Sequence, residues 1–205
     1  MSVVEQASSP RQHRRDARQA EIVAAAWELA HRDGLAALSL RDLADKVGLR
    51  QPSLYAYFDA KSGLYDLMFA DGNRSLLEAA AALTPTGDAK RDLVAFVEMT
   101  VRFCGADPVR YQLLFQRTIP GFEPSAESYA LAEEFLEHSM RLIKATGVSA
   151  SGSIDLFTAI VAGLADQQVA NDPGGERWVR MSSRAVDMFL TDAQVHSRPA
   201  RRGRS

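Results

Sequence analysis

Apolar residues recur with a helical period along almost the whole chain, and no segment shows the strict alternation that marks a half-buried strand. The pattern is clear at Leu40, Leu43 and Val47, which stand at i, i+3 and i+7 and so share one face of a helix. Clusters of Gly and Pro interrupt the pattern, for example at residues 85–87. The sequence therefore predicts an all-α protein.

The interruptions divide the chain into about nine predicted helices. These cover residues 14–33, 39–48, 51–58, 60–83, 88–104, 107–117, 125–145, 150–171 and 175–193. Gly34 stands where a glycine commonly ends a helix. Ser39 is a good N-cap for the second helix, because its hydroxyl can accept a backbone N–H of the following turn. Asp59 is the expected cap of the fourth helix.

The composition is that of an ordinary folded protein. Of 205 residues, 46% are hydrophobic and 24% are charged, which excludes disorder, and the single Cys104 excludes a disulfide scaffold. The apolar neighbours of Cys104 indicate a small buried residue and not a nucleophile. The N-terminus lacks the apolar run of a secretory signal, and no stretch reaches the roughly 18 apolar residues of a membrane helix. We therefore expect a cytoplasmic protein without a membrane partner.

A net charge of -2 argues at first sight against a nucleic-acid partner. Residues 1–62 carry nine Lys/Arg and eight Asp/Glu, residues 63–197 carry 11 and 18, and residues 198–205 carry four Arg. The acidity therefore belongs to the middle of the chain. Four arginines also cluster between residues 11 and 18. This cluster and the basic tail can each follow a phosphate backbone or be a solvated chain end.

Residues 39–58 have the layout of a helix-turn-helix reader, with a short helix, a turn at Gly48 and a second short helix. Small helix pairs also occur as plain packing units, so the side chains must distinguish a DNA-binding pair from a structural one. Apart from the inward-facing Leu54 and Phe58, the third helix carries residues that can hydrogen-bond a phosphate or a base edge. They are Arg50, Gln51, Ser53, Tyr55 and Tyr57.

The segment LSLRDLADKVGLRQPSLYAYFDAKSGLYDLM resembles the DNA-binding region of the tetracycline-repressor (TetR) family of bacterial transcriptional regulators. The resemblance is strong over residues 38–68 and loose over residues 14–37. It implies a homodimer that binds a palindromic operator in double-stranded DNA, most often as a repressor. It also implies four parts: a flexible basic arm (1–13), a helix-turn-helix DNA-binding domain (14–60), a helical regulatory and dimerisation domain (61–195) and a flexible basic tail (196–205).

The resemblance assigns DNA contacts residue by residue. Arg41 matches a position that can reach a base, and the fork of an arginine suits a guanine edge. Tyr55, Tyr57 and Lys61 match positions that usually hold phosphates. The full set of candidate DNA-binding residues is Ser39, Arg41, Arg50, Gln51, Pro52, Ser53, Tyr55, Tyr57 and Lys61.

In the family, the regulatory domain surrounds a cavity for a small effector. Residues 88–145 are acidic and rich in aromatic residues, which makes an apolar or aromatic effector plausible, although each residue alone can be ordinary core. The candidate lining residues are Phe96, Met99, Phe103, Tyr111, Phe115 and Phe135.

The eighth helix contains no charge from Leu156 to Ala165, so it must be covered on all sides. The resemblance implies that the last two helices form a four-helix bundle with their copies in a dimer. The candidate interface residues are Ala159, Ala162, Gly163, Trp178, Met181, Ala185 and Met188. The alternative is a helix at the centre of one monomer.

Two other classes of function compete with a ligand-controlled regulator. An all-helical enzyme is the first, but the four His include no pair at metal-ligand spacing and the chain lacks the common catalytic and nucleotide-binding motifs. We expect neither a metal nor a cofactor. A DNA-binding regulator without a small-molecule effector is the second, and it remains open because an aromatic core serves both.

Overall fold

The computed structural model describes residues 9–149 and 152–196, and within them it confirms the all-α prediction. The N-terminal helices are α1 (Pro10–Asp33), α2 (Leu40–Lys46), α3 (Gln51–Leu54) and α4 (Lys61–Ala81). The others are α5 (Ala89–Ala106), α6 (Pro108–Phe115), α7 (Ala126–Ala145), α8 (Ser153–Asn171) and α9 (Ser182–His196), with a 3-10 turn at Val179–Met181. Among the described residues, no helix combines the length and the hydropathy that crossing a bilayer requires.

Helix α1 begins four residues earlier than predicted, so the flexible arm expected over residues 1–13 is wrong for its last part. The Ser9 hydroxyl accepts the Gln12 backbone N–H at 3.3 Å, and Pro10 occupies the first turn, where its missing N–H costs nothing. Residues 1–8 lie outside the described residues. Gly34 ends the helix as predicted, with a φ of 86° that favours glycine.

The predicted ninth helix over 175–193 is wrong at its start, because the side chain of Gln168 holds this part of the chain in a turn. The amide of Gln168 donates to the carbonyls of Asp172 and Gly175, and its oxygen accepts the Trp178 backbone N–H at 3.0 Å. Helix α9 therefore starts at Ser182 and continues to His196, the first residue of the predicted tail. The rest of that tail lies outside the described residues.

Among the described residues, buried apolar side chains form two large cores and a small third cluster of Cys104, Tyr111 and Ala165. The N-terminal core consists of buried residues of α1 to α4 together with Leu113 of α6. The C-terminal core joins the end of α4 to α5, α7, α8 and α9. The predicted domain boundary at residues 60 and 61 coincides with the start of α4. The first half of α4 packs in the N-terminal core through Leu64 and Met68, and only Ala80 reaches the other.

Gln168 is only 1% exposed, and replacing it with alanine should destabilise the fold strongly. Gln168→Ala removes the hydrogen bonds of this side chain to Asp172, Gly175 and Trp178 and leaves part-buried backbone groups without these partners, so we expect the free energy of unfolding to fall by about 2–4 kcal/mol. Urea denaturation at fixed protein concentration measures this change. The matched control is Gln167→Ala, since exposed Gln167 bonds only the Asn171 side chain. Equal losses in the two variants would show that the Gln168 bonds do not hold the turn.

Candidate nucleic-acid interface

Helices α2 and α3 form a tight pair whose inner sides are apolar. The Ser39 hydroxyl caps α2 by accepting the Asp42 backbone N–H at 3.3 Å, as predicted. Gly48 adopts a φ of 66° in the turn between the helices. Leu43 and Leu54 are fully buried, one from each helix. The Ser39 hydroxyl therefore caps the helix with one of its lone pairs, and its proton can still be donated to a partner.

Helix α3 is shorter than the predicted 51–58 and ends at Leu54. The chain continues in turns, in which Tyr57 donates its backbone N–H to the Leu54 carbonyl at 2.9 Å. Arg50 stands at the N-cap position without a capping hydrogen bond, which leaves its side chain available. Tyr57 is half-buried in this part of the pair. Its exposed polar and proline residues are Arg50, Gln51, Pro52, Ser53 and Tyr55.

Lys61 lies at the start of α4 beside the loop that precedes α2. Its Nζ donates to the Ala36 carbonyl at 3.4 Å and lies 5.5 Å from the centre of the Tyr65 ring. The N-cap of α4 is Ala60 and not the predicted Asp59, so no side chain satisfies the first N–H groups of this helix. A phosphate at this position would meet both the ammonium group and the uncapped helix end.

Two arginines of α1 hold the helix pair from behind. Arg15 donates to the Ala56 carbonyl at 3.1 Å, and Arg18 donates to the Val47 carbonyl and to Glu21. These carbonyls follow α3 and α2, where a helix leaves acceptors without partners. Arg15 and Arg18 are therefore structural residues in this structure. From the sequence, the cluster that contains them could either follow a phosphate backbone or be a solvated chain end.

The outer surface of the helix pair carries cations that the protein does not neutralise. Arg41 is exposed on α2, and within the described residues neither Arg41 nor Arg50 nor Lys61 makes a salt bridge. Lys46, at the end of α2, differs because its Nζ lies 2.7 Å from Glu28 Oε2. The pair therefore presents two guanidinium groups and one amide side chain, Gln51, in a form suited to base edges and phosphates.

Residues 22–68 match the family model described as bacterial regulatory proteins of the tetR family. The helix-turn-helix segment of this chain is therefore similar to that of the TetR family. The matched segment contains α2, α3 and every candidate DNA-binding residue named from the sequence. The family is thus one of regulatory proteins and not of enzymes.

One curated relative is the HTH-type transcriptional activator FasR of Mycolicibacterium smegmatis, 31% identical over 103 residues. The alignment covers 50% of this chain and 47% of FasR, so the chain matches about half the length of this relative.

Solved structures share the fold over most of the chain. The protein SCO4313 has a TM-score of 0.70 at 24% identity, covering 90% of this chain and 98% of that protein. A TetR variant of Acinetobacter baumannii AYE in complex with minocycline has a TM-score of 0.57 at 18% identity, with 87% and 98% covered. At these identities the likeness shows the fold alone.

Outside the helix-turn-helix, a cavity of about 200 Å³ lies among α5, α6, α7 and α8. Four of the six predicted lining residues face it, namely Phe96, Tyr111, Phe115 and Phe135. Met99 and Phe103 do not line it and pack against the neighbouring core clusters. The sequence reasoning missed Thr100, Cys104, Ala132, Leu136, Ser139, Phe157, Thr158, Val161, Ala162 and Ala165. The spacing of Phe96, Thr100 and Cys104 at i, i+4 and i+8 could have identified two of them.

The cavity is lined without a charged side chain. The hydroxyls of Thr100, Ser139 and Thr158 donate to backbone carbonyls of their own helices at 2.8, 2.6 and 2.8 Å. Burial raises the pKa of the Cys104 thiol to about 12, so the thiol stays protonated near neutral pH. The cavity wall is therefore neutral, and most of its hydrogen-bond donors are already occupied.

Two stacked aromatic rings, Phe96 and Phe135, line one side of the cavity with their centroids 5.0 Å apart. His138, which does not line the cavity, also stacks with Phe96 at 5.5 Å. Burial, and to a smaller extent the charge of Arg141, lowers the pKa of His138 below its ordinary value. Since that value is 6.5, the His138 ring is neutral near pH 7 and adds no charge behind the wall. Among the described residues, no group of His, Cys, Asp or Glu is arranged to hold a metal ion.

The predicted dimer residues are divided between the outer surface and the interior. Ala159, Gly163, Met181 and Met188 are exposed, and Met188 retains 64% of its accessible surface. Trp178 and Ala185 are half-buried, and Ala162 is exposed and also lines the cavity. Trp178 and Met181 precede α9, although the sequence placed them on it. Leu156 and Val195 are exposed apolar residues of α8 and α9 that the sequence reasoning did not select.

Among the candidate DNA-binding residues, Arg41 is the one that we expect to contact a base edge most directly. Arg41→Ala removes an exposed, unpaired guanidinium, so we expect preference at one operator position to relax and cognate affinity to fall by about 1–3 kcal/mol. Binding to a library of randomised duplexes measures both effects.

The control for Arg41→Ala is Lys46→Ala on the same helix. Glu28 already pairs with Lys46, so we expect its loss to leave base preference unchanged. If Arg41→Ala retained the preference of the unmodified protein at every position, Arg41 would not be a base reader.

Proposed function

We propose that this protein is a homodimeric transcriptional repressor that binds a palindromic operator through residues 39–61 and is released by a small neutral effector. The observation that carries the proposal is the set of exposed cations and amides on the outer side of α2 and α3, without acidic partners within the described residues. Phosphates and base edges supply the missing partners.

An exposed apolar surface on the last two helices supports a dimer. Met188 and Val195 of α9 are each 64% exposed, and Leu156 of α8 is 40% exposed. Gly163 has open space where a side chain would be, so a helix of a second copy can approach closely there. A two-fold dimer through this surface would present two copies of the DNA-binding domain (residues 14–60), which we call the reading head. Two reading heads related by a two-fold axis bind a palindromic site.

The neutral cavity supports a small effector of low polarity. An ionic group placed inside would lose its hydration, and the lining residues offer no countercharge. Stacked aromatic rings on one wall favour a flat or aromatic ligand. The relative from Acinetobacter baumannii was solved with minocycline, and this supports a ligand-binding role for the shared fold.

Helix α6 connects the cavity to the reading head. Tyr111 and Phe115 line the cavity, whereas Leu113 belongs to the N-terminal core. Leu114 packs against α4 so closely that a Cβ on Gly72 would lie 3.0 Å from Leu114 Cδ2. An effector that displaces Tyr111 or Phe115 therefore presses on α4.

The start of α6 is tied to α1. Asp107 accepts the Arg110 backbone N–H at 2.9 Å and hydrogen-bonds His31 Nε2 at 2.8 Å. A shift of α6 thus also changes the position of α1. We infer that the effector favours a conformation in which the two heads no longer match the spacing of the half-sites.

Selection of bound duplexes from a random pool tests the DNA-binding proposal. We expect the recovered sequences to contain two inverted half-sites one helical turn or a multiple apart. A reporter gene behind this sequence should be repressed. Increased expression would assign an activator, which is the role named for FasR, and recovery of no enriched sequence would refute the proposal.

The variant Gly163→Glu tests whether the dimer explains the palindrome. The position has room for a side chain, so the subunit should fold, but two buried carboxylates at the interface should prevent association. Sedimentation should show monomers that bind one half-site weakly. The control is Ala130→Glu at an exposed position of α7, which should stay dimeric. An intact dimer of Gly163→Glu would reject this interface.

A neutral apolar fluorophore, N-phenyl-1-naphthylamine, tests the cavity. We expect it to fluoresce on binding the unmodified protein and to weaken binding to the selected duplex. Ala132→Phe places a ring in the cavity and should abolish the fluorescence gain, while Ala130→Phe, on the same helix but outside the cavity, should retain it. Circular dichroism checks folding, and Phe135→Ala is the second variant if Ala132→Phe is unfolded. Equal fluorescence in all variants would place the probe elsewhere.

A further inference from the structure

Helix α1 extends 12 residues before the segment that matches the family model. Four arginines of this extension stand at i, i+3, i+4 and i+7, and this spacing places them on one face of the helix. They are Arg11, Arg14, Arg15 and Arg18. Their arrangement is a continuous basic row along the helix.

The inner half of the row fixes the direction in which the whole row points. Arg15 and Arg18 donate to carbonyls of the helix-turn-helix, so this face of α1 lies against the reading head. Arg15 also shares a surface groove with Tyr55 and Tyr57, the two tyrosines expected to hold phosphates. Arg11 and Arg14 continue the same face one turn nearer the N-terminus, about 6 Å farther along the axis for four residues.

The outer half of the row is exposed and electrostatically free. Within residues 9–149 and 152–196, neither Arg11 nor Arg14 forms a salt bridge or a side-chain hydrogen bond. The acidic residue between them and Arg18, Asp16, accepts a hydrogen bond from the Gln12 amide at 2.7 Å. Two guanidinium groups therefore project beside the reading head with no protein partner among the described residues.

We propose that Arg11 and Arg14 bind phosphates of the DNA duplex beyond those reached by the helix-turn-helix. This inference rests on the DNA-binding function proposed above. A duplex carries a dense row of negative charges, and a row of arginines on an already folded helix beside the helix-turn-helix can meet it with little loss of backbone freedom. The contacts add affinity without base preference, which a head with a net charge near +1 needs.

The salt dependence of binding tests the inference. With the selected duplex and with an unrelated 30-bp duplex, we expect Arg11→Ala/Arg14→Ala to reduce the slope of log K against log salt by about two per protomer. Base preference in the random pool should stay unchanged. Arg11→Lys/Arg14→Lys keeps the charges and should restore most of the slope. Hydroxyl-radical footprints should lose protection at outer sugars only in the alanine variant.

Two controls separate this contact from a general effect of charge. Arg91→Ala/Arg141→Ala removes the same charge from exposed positions on α5 and α7, and we expect no change in slope. Lys61→Ala should lower the slope by about one and shows that the assay detects a single phosphate contact. If Arg11→Ala/Arg14→Ala kept the slope of the unmodified protein while Lys61→Ala reduced it, Arg11 and Arg14 would not contact DNA and would be part of a solvated helix end. Absence of DNA binding by the unmodified protein would instead overturn the proposed function and this inference together.

Discussion

The packing of α6 between the two cores is the constraint on which the rest of the structure depends. This helix has only eight residues, yet Leu113 lies in the N-terminal core while Tyr111 and Phe115 form part of the cavity wall. Because close-packed groups cannot shift independently, a change in the cavity reaches α4 through Leu114 and reaches α1 through Asp107.

The distribution of charge follows the same division. The net charge of -2 is an average over a slightly basic head, an acidic middle and a basic tail. Within the head, the positions of the cations matter more than their number. Arg15 and Arg18 donate hydrogen bonds to backbone carbonyls at helix ends, while Arg41 and Arg50 form no salt bridge among the described residues. A weakly charged head thus concentrates its free cations on one side.

The sequence predicts those features that depend on neighbouring residues. The cap at Ser39, the stop at Gly34 and the outward direction of Arg41 follow from local spacing, and the structure agrees with each. Long-range bonds are invisible at that level. Nothing near residue 175 signals that Gln168 holds the following turn, so a continuous ninth helix was the natural expectation. On α5 the apolar Met99 was expected to line the cavity, but the lining residue is Thr100, which shares a helical row with Phe96 and Cys104.

The neutral cavity and helix α6, which contacts both the cavity and the N-terminal core, together determine how a bound ligand can change DNA affinity. If a ligand in the cavity weakens DNA binding, bound DNA must lower the affinity for that ligand by the same factor, because the two binding equilibria share one coupling free energy. Couplings of this kind are typically about 1–3 kcal/mol, and they act on the difference between two conformations and not on total affinity. An apolar cavity suits this role, since burial of a neutral ligand depends on shape, and α6 converts a change of cavity shape into a change of head position.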